Sequence, residues 1–310
     1  MRAAVLEEYG TPGAGDFQEP VAGEGQAVVE VRAAGLNPVD VAISAGRFYA
    51  GKPPLPSVAG REGVGILDGR RVYFDAPVAP FGSMAERALI DPASTYPVPD
   101  EVEDGVAVAI GIAGLAAWLA LTWRAALQPG EHVLVLGASG VVGQIAVQGA
   151  RILGAGRVVA AARSAQELQR SLALGADRTV RLGEARDLAG ALAEAAEGRI
   201  DVVIDPLFGE PFAAAVQAAT FGARIVQLGA AAGQEATVPS APIRGKVLTI
   251  LGHTNFAAPL EVKRAAYERM AAAAAAGELH VETERVPLER VEEAWALLER
   301  GSHRKILVIP

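Results

Sequence analysis

The sequence predicts an α/β protein made of a β-rich part and a parallel, doubly wound sheet. Its 310 residues suggest about two domains, at roughly 100–200 residues each. The first hundred residues contain short β-type runs separated by glycine and proline. From His132 onward strand patterns alternate with helix patterns, which is typical of a parallel sheet covered by helices. We expect the C-terminal segment, a helix and a last strand, to return to the β-rich part.

Three runs account for the β-rich part: QAVVEVRAAGL from Gln26, GVGILDGRRVYF from Gly63 and SMAERALI from Ser83. The next segment, VAVAIGIAGLAAWLALTW from Val106, carries no charge and is close to the ~20 residues that a membrane helix needs. However, it is rich in Ala and Gly and follows the acidic EVEDG. It therefore predicts a buried helix at a domain junction.

The α/β part begins with HVLVLG, a predicted buried strand, and continues with the helix GQIAVQGARILGA. The next strand and helix are RVVAAA and AQELQRSLALGA. Further strands are predicted at IDVVIDPL, ARIVQLGA and KVLTILGH, with the helix PFAAAVQAAT between the first two. EVKRAAYERMAAAAAAGEL predicts a long helix, and LERVEEAWALLERGSHRKILVIP an amphipathic helix followed by a strand.

Composition excludes several functional classes. The formal net charge is -8 and there is no long basic run, so the electrostatic footprint of a nucleic-acid-binding protein is missing. The chain has no cysteine, which excludes disulfides, thiolate nucleophiles and cysteine-ligated zinc. Glu7 and Glu8 occupy the place where a signal peptide would have its apolar run. We expect a cytoplasmic protein without a membrane partner.

The stretch HVLVLGASGVVG carries the strongest functional pattern. Ala138, Gly140 and Gly143 form A-x-G-x-x-G between a predicted strand and a helix. In dinucleotide folds this turn lets the backbone approach a pyrophosphate at the helix N-terminus. Glycine-rich turns also occur for packing reasons, but the strand–turn–helix context favours a dinucleotide. The predicted phosphate contacts are Ser139, Gly140, Val141 and Val142.

The end of the second strand indicates which dinucleotide binds. An NAD site usually has Asp or Glu there for the ribose hydroxyls. This chain has Arg163 and Ser164 instead, and an arginine fork suits a phosphate. An arginine that merely solvates a strand end is the alternative. Because the acid is absent as well, the pattern favours NADPH, with its 2′-phosphate at Arg163.

Together these segments resemble the medium-chain dehydrogenase/reductase superfamily, in its zinc-independent quinone oxidoreductase branch. GLNPVD from Gly35 is similar to the family's G-x-N-P-x-D, and LPSVAGREGVG to its P-x-x-x-G-x-E-x-x-G. GSMAERALI, GIAGLAAWLAL, PGEHVLVLGASGVVG, LALGAD, IDVVID, ARIVQLG and the terminal KILV follow in family order. Each motif alone is weak, but the ordered set covers nearly the whole chain.

The resemblance implies a GroES-like catalytic domain formed by both termini, with a Rossmann domain between them. We place the limits at residues 1–106 and 273–310 for the catalytic domain and at 107–272 for the Rossmann domain. It also implies a homodimer that pairs through the Rossmann edge strand KVLTILG, and reduction of quinones or conjugated carbonyls with NADPH. Further cofactor contacts are implied at Asn37, Leu228, Gly229, Gly252, His253 and Lys305.

Several positions depart from the family. Zinc-dependent relatives have G-H-E where this chain has Arg61 and Glu62, and they use a cysteine ligand that is missing here. We therefore expect no metal site, and no loss of activity with chelators. Glu62 is interpreted either as a buried, hydrogen-bonded carboxylate or as a catalytic one. Arg304 replaces a usual Gly before Lys305, and this pair is expected either at a cofactor phosphate or on the surface.

The positions that contact the substrate in the family are those at which this chain differs most from the family motifs. The family's R-x-G-x-Y has become SAGRFY, with Ser44 for Arg and Phe48 for Tyr, and Tyr49 lies one residue later. Ala116 replaces the usual Thr of L-T-A-W. Asn37 and Tyr49 are the predicted catalytic residues. Asn37 is expected to hold the nicotinamide amide or a substrate carbonyl, or else to cap local backbone.

Two classes of function remain open. One is an enzyme in which NADPH delivers hydride to a quinone or an enone, including an enoyl group on a polyketide or fatty-acyl intermediate. The other is an NADPH-binding sensor or structural protein with little turnover. A zinc alcohol dehydrogenase is a distant third. The anion that hydride transfer leaves on the substrate must then be protonated. Tyr49 and His253 are the side-chain candidates for this proton donor, and we predict that neither is essential because water can supply the proton.

Overall fold

The computed structural model describes residues 1–310. From the N-terminus to Leu119 its elements are β1 Arg2–Leu6, β2 Gly13–Asp16, β3 Ala27–Gly35, α1 Pro38–Ser44, β4 Ser57–Val58, β5 Glu62–Leu67, β6 Arg70–Phe74, β7 Arg87–Ile90, β8 Tyr96–Pro97, α2 Asp104–Ala109 and α3 Ile112–Leu119. They continue with β9 His132–Leu136, α4 Val141–Ile152, β10 Arg157–Ala162, α5 Ala165–Ala173, β11 Arg178–Arg181, α6 Leu188–Ala195, β12 Val202–Asp205, α7 Gly209–Ala218, β13 Arg224–Gln227, α8 Ser240–Gly245 and β14 Thr249–Gly252. The last are α9 Leu260–Ala275, β15 Thr283–Pro287, α10 Val291–Glu299 and β16 Lys305–Ile309.

The chain divides into two compact units. The first contains Met1–Ile112, Tyr267–Gly277 and Val281–Pro310, and the second contains Ala113–Ala266 with Glu278–His280. The limits differ from those predicted at 106/107 and 272/273. Residues 107–112 belong to the first unit because α2 packs on β3 and β5. Tyr267 belongs there because its ring stacks on that of Tyr73, with 4.8 Å between centroids.

The first unit is β-rich and uses both ends of the chain. Its seven-stranded sheet has the order β15-β16-β3-β5-β6-β8, with β7 also paired to β3, and a smaller sheet has the order β2-β1-β4. The C-terminal strand β16 joins through antiparallel pairing with β3. Trp295 of α10 and Ile306 of β16 lie in one buried cluster with Val29 and Phe74. The C-terminal helix and strand thus share a sheet and a core with the N-terminal part.

The second unit is a parallel sheet of six strands in the order β11-β10-β9-β12-β13-β14. The chain moves outward from β9 to one edge and then to the other, which is the doubly wound order that binds dinucleotides at its reversal point. β9, β10 and β12 are almost wholly buried. Strands covered by helices on both faces read as continuous apolar runs, which is why HVLVL and RVVAAA were recognisable.

The uncharged segment after Val106 folds differently from the single helix predicted for it. α2 ends at Ala109, α3 begins at Ile112, and a five-residue π-helical turn follows at Ala120–Arg124. Gly111 lies at the break, where an added Cβ would come within 2.4 Å of a Glu62 carboxylate oxygen. No helix in the structure combines the length and the apolar character needed to cross a membrane.

Candidate active site

The glycine turn of the second unit has the form of a phosphate cradle. Gly137 follows β9 with a φ of +63°, and an added Cβ at Gly143 would be 2.3 Å from the Gly137 carbonyl oxygen. Only glycine therefore lets α4 approach the turn so closely. At Gly140 an added Cβ would meet nothing nearer than 3.6 Å, so this side of the turn is open.

The start of α4 supplies backbone amide donors at this turn. The first helical hydrogen bond of α4 is donated by Gln144 to the Gly140 carbonyl at 2.9 Å. The amides of Val141 and Val142 precede it, and such N-terminal amides have no partner within their own helix. The side chain of Gln144 donates to the Ser139 carbonyl at 2.8 Å and holds the turn. A helix N-terminus built in this way suits a pyrophosphate, so the residues present fit a dinucleotide.

Two arginines lie at the next strand ends. Arg163 follows β10 and is exposed. Ser164 caps α5, its hydroxyl accepting from the Glu167 amide at 3.3 Å, which leaves the hydroxyl proton for donation. Arg181 ends β11 in register with Ala162, and its Nε donates to the Arg163 carbonyl at 3.1 Å.

Arg181 was missed in the sequence because β11 was not predicted. Its sequence, RTVR, has one buried residue among exposed or half-exposed ones, so it lacks the apolar run of its neighbours. Its guanidinium also forms a salt bridge of 2.7 Å with Glu184. The two arginines place positive charge where the second strand ends, and no carboxylate lies at the Arg163 position.

Four further predicted cofactor positions lie at the carboxyl ends of β13 and β14. The Leu228 amide donates to the Asp205 carbonyl at 2.9 Å. Gly229 packs so closely on the Pro206 backbone that an added Cβ would be 2.7 Å from its carbonyl oxygen. Gly252 ends β14, and His253 follows it and donates its amide to the Gln227 carbonyl at 2.9 Å. The fold thus brings these positions to the edge of the sheet that carries the glycine turn.

His253 is half-buried beside aromatic and polar neighbours. Its Nε2 lies 3.1 Å from the Asn255 side-chain oxygen, and its ring makes an edge contact with Trp123. Burial lowers the pKa of His253, and the nearby Arg124 charge acts in the same direction, while the Asn255 contact opposes both. The imidazole is therefore neutral around pH 7, which makes it a poor proton source.

In the first unit Asn37, Glu62 and Lys305 form one buried network. The Lys305 amino group donates to Glu62 Oε1 and to Asn37 Oδ1, both at 2.6 Å. The Asn37 side-chain amide donates to Glu62 Oε1 at 2.8 Å. These three residues are 5%, 0% and 2% exposed. The ion pair is thus compensated by hydrogen bonds on both partners, as a buried charge pair requires.

Glu62 Oε2 completes the network. It accepts from the Tyr73 hydroxyl at 2.8 Å and from the Ile112 amide at 2.6 Å. Burial, with the negative charge of Glu62, raises the pKa of Tyr73 well above its usual value, so its hydroxyl stays a neutral donor. An added Cβ at Gly35 would be 2.5 Å from Glu62 Oε1. Of the two interpretations of Glu62, the structure therefore supports the buried, hydrogen-bonded carboxylate.

The contacts of Lys305 in this network differ from both positions expected for it, a cofactor phosphate and the surface. It is neither a surface residue nor placed to meet a phosphate, because its three donors reach Glu62, Asn37 and, at 3.4 Å, the Leu36 carbonyl. Asn37 is corrected in the same way. Its side chain is used by Lys305, Glu62 and Asp40, which leaves no donor for a nicotinamide or a substrate carbonyl. Arg304 is exposed and pairs with Glu282 at 3.1 Å.

Asp40 connects the network to the start of α1. Its Oδ2 accepts from the Asn37 backbone amide at 2.8 Å and from the Asn37 side chain at 3.3 Å. Its Oδ1 is buried without a hydrogen-bond partner. Burial, and then the negative charge of Glu62, raises the pKa of Asp40 to about 6, against the opposing effects of Lys305 and Asn37.

A pocket opens beside this network, within the first unit. Asp40 and Ser44 of α1 line it together with Arg61, and the rest of its wall is mainly proline and aliphatic side chains. Tyr49 does not line it; that side chain is 76% exposed and its ring lies against Phe48. No three His, Asp or Glu side chains are grouped so that they could hold a metal ion.

Comparison with known proteins identifies the family. The alcohol dehydrogenase GroES-like domain matches residues 23–100, and the zinc-binding dehydrogenase domain matches residues 141–274. The chain is 30% identical to the quinone oxidoreductase of Pongo abelii, over 97% of this chain and 95% of that protein.

The chain belongs to the medium-chain dehydrogenase/reductase family, in its quinone oxidoreductase-like branch.

This family membership makes the chain an oxidoreductase and confirms the predicted fold class, a GroES-like part and a Rossmann part. The quinone oxidoreductase of Thermus thermophilus, solved alone and in complex with NADPH, is 32% identical, with a TM-score of 0.83 and both chains fully covered. A segment of polyketide synthase GfsB from Streptomyces halstedii is 35% identical, over 66% of this chain but only 4% of that protein.

Proposed function

We propose that this quinone oxidoreductase-like chain is an NADPH-dependent, zinc-independent reductase of quinones or conjugated enones. The observation that carries the proposal is the pair of adjacent sites in the second unit. An open glycine turn with helix N-terminal amides is followed, at the next two strand ends, by Arg163 and Arg181. The solved relative from Thermus thermophilus that was crystallised with NADPH supports this choice of cofactor.

The residues of the chain have distinct roles in this proposal. Amides of Val141 and Val142 bind the pyrophosphate, and Arg163 with Ser164 binds the 2′-phosphate. NADPH, when bound, supplies the hydride. Leu228, Gly229, Gly252 and His253 stay predicted contacts at the carboxyl edge of the sheet. The Asn37–Glu62–Lys305 network holds the backbone around Arg61, and the pocket beside it is the proposed site of the acceptor.

Zinc independence is proposed from the donor set. Arg61 occupies the position of the family's ligand histidine, and the chain has no cysteine. A guanidinium cannot be deprotonated in proteins and so cannot ligate a cation there. Elemental analysis and unchanged turnover in a chelator test this part of the proposal. About one zinc per chain, lost together with activity, would contradict it.

The test of the function is a substrate panel. Purified protein is mixed with NADPH or NADH and with benzoquinones, naphthoquinones and enones, and cofactor oxidation is followed by absorbance. We expect turnover with NADPH that exceeds turnover with NADH. Tight NADPH binding without turnover of any acceptor would instead support the sensor or structural protein.

Enoyl reduction on an acyl intermediate is a second candidate, which the similarity to a polyketide synthase segment favours. The panel therefore includes a crotonyl thioester of N-acetylcysteamine, a small mimic of a carrier-bound enoyl group. A higher kcat/KM for the thioester than for every quinone would assign this function. We also propose a homodimer paired along β14, the free edge of the six-stranded sheet.

A further inference from the structure

The pocket of the first unit contains one permanent positive charge. Its wall is apolar at Leu6, Ile43, Val58 and Phe81, and the ionisable residues that line it are Arg61 and Asp40. Arg61 is half-buried, and one guanidinium nitrogen reaches the Asp75 carbonyl at 3.5 Å. A guanidinium carries five donors, so it can donate to more than one partner at the same time.

The backbone holds Arg61 firmly. Gly60, before it, has a φ of +96°, and an added Cβ there would be 2.5 Å from Ser83 Oγ. The Gly60 carbonyl accepts from the Ser83 amide at 3.0 Å. Glu62, after it, accepts four hydrogen bonds in the buried network. The backbone on both sides of Arg61 is therefore held in place. A donor that is positioned before the reaction needs little reorganisation when opposite charge develops beside it.

We propose that Arg61 is a catalytic residue that donates hydrogen bonds to the carbonyl oxygen of the acceptor and stabilises the negative charge which that oxygen gains. This deepens the proposed function, on which it rests, and it specifies the acceptor as a compound whose reduction leaves an oxyanion. The guanidinium then fulfils the charge-stabilising role that a metal ion has in zinc-dependent enzymes.

The reaction balances without a further reactant. A hydride forms a C–H bond at the conjugated carbon of an enone, the C=C electron pair shifts toward the carbonyl, and the oxygen becomes an enolate oxyanion. A quinone is reduced by the same two electrons to a quinol anion. One proton from water then neutralises the product and leaves hydroxide. Arg61 stays protonated throughout, because its guanidinium is not an acid at neutral pH.

Other pocket residues are less suited to this role. The Ser44 hydroxyl donates to the Val41 carbonyl at 3.2 Å. Asp40 carries a carboxyl group whose ionised form would repel an oxyanion. Tyr49 lies outside the pocket lining.

The first experiment measures oxyanion binding without turnover. 4-Nitrophenol is titrated into the protein at several pH values, and the yellow phenolate is distinguished from the phenol by absorbance. We expect native protein to bind the phenolate at least tenfold more tightly than the phenol. Arg61→Met should abolish this preference, and Arg61→Lys should keep most of it because the charge remains.

The second experiment measures turnover in the same variants. Removal of one oxyanion donor commonly lowers kcat by about 10²–10³-fold, so we expect a loss of about 100-fold in Arg61→Met at unchanged NADPH affinity. Arg47→Met is the matched control, because Arg47 is exposed and does not line the pocket. If Arg61→Met does not fold, Arg61→Gln replaces it, since Gln keeps a donor for the Asp75 carbonyl.

The outcomes separate this proposal from the proposed function. Native protein that binds phenolate no better than phenol, or binds neither, would overturn the role of Arg61, and so would threefold or smaller losses of kcat in the uncharged variants. Absence of turnover in native protein would contradict the proposed function instead. The phenolate titration needs no turnover, so it would still test whether Arg61 binds an oxyanion.

Discussion

The carboxyl group of Asp40 is buried beside the polar network of the first unit, and its burial is not fully compensated by hydrogen bonds. Glu62, Asn37 and Lys305 satisfy one another, whereas Asp40 Oδ1 is buried without a partner. Its folded-state pKa of about 6 is raised above the ordinary 3.8. The folded chain therefore binds this proton more tightly than the unfolded chain does. The cost to stability is absent below about pH 4, grows as the pH rises through 6, and is complete above it.

Asp40→Asn should remove that cost. A shift of this size corresponds to at most about 3 kcal/mol, so we expect the variant to melt a few degrees above native protein at pH 8. The difference between the two melting temperatures should shrink as the pH falls from 6 to 4. Calorimetry across this range measures it. Equal melting curves at pH 8, or a difference that does not vary with pH, would show that Asp40 is not the titrating group.

Tyr49 offers a test of the proton source. Because its side chain is largely exposed and absent from the pocket lining, we expect Tyr49→Phe to lower kcat by less than 100-fold, below the usual contribution of a general acid. NADPH affinity measured in parallel shows whether the site is intact. A loss of 10³-fold or more at unchanged affinity would identify Tyr49 as the proton donor.

At the scale of elements, the proposed preference for a 2′-phosphate depends on the ends of β10 and β11. Parallel strands in register bring Arg163 and Arg181 to the same sheet edge, and Glu184 already binds the second guanidinium. A phosphate between the two arginines would gain charge-assisted hydrogen bonds from both. Glu184 would compete with it for Arg181.

Arg181→Ala should weaken NADPH binding by about tenfold, since a hydrogen bond to a charged group contributes roughly 1.5–3 kcal/mol. NADH affinity should stay unchanged. Glu184→Gln should act in the opposite direction and tighten NADPH binding two- to threefold. Arg178→Ala, an exposed arginine at the start of the same strand, is the control. Equal losses of affinity for NADPH and NADH would mean that Arg181 supports the fold and does not bind the 2′-phosphate.

Elements that bury a continuous apolar run were predictable, and elements that depend on distant partners were not. HVLVL, RVVAAA and the glycine turn carry their signal within a dozen residues. β11, α6 and β15 each bury only one or two residues, so they lack an apolar run, and β11 and β15 are recognisable as strands only from their pairing. The polar network of Asn37, Glu62 and Lys305 could not be predicted from the sequence for a related reason. Lys305 is separated by 268 residues from Asn37 and by 243 from Glu62, so no local pattern connects them.

For the whole molecule, the order of motifs predicted more than any single motif did. The alternation of strands and helices predicted the parallel sheet. The last strand, β16, pairs with β3 of the first part. The domain limits were less accurate, because the uncharged segment after Val106 contains two helices that belong to different units. Hydropathy alone does not mark a break at Gly111, which depends on the nearby Glu62 and Tyr73 side chains.

The six-stranded sheet also suggests how two chains associate. β14 pairs with β13 on one side only, and Ile250 and Val247 near it are 41% and 60% exposed. An unprotected apolar edge strand is a template for pairing with another chain. Two copies joined across this edge by a two-fold axis would bury these side chains and continue the sheet.

We therefore expect a mass of twice 31.9 kDa in solution by light scattering coupled to size-exclusion chromatography. Ile250→Glu places like charges opposite each other across the edge, and Ile250→Pro removes a backbone donor from the side of β14 that faces away from β13, since the Thr249 and His253 amides are the ones that donate toward β13; each should give a monomer. Thr179→Glu on β11, at the opposite edge of the same sheet, is the control and should leave the mass unchanged. A native monomer, or a dimer that survives both β14 variants, would place the association elsewhere. NADPH titration of the monomeric variants then shows whether the glycine turn and the arginine pair bind the cofactor without a second chain.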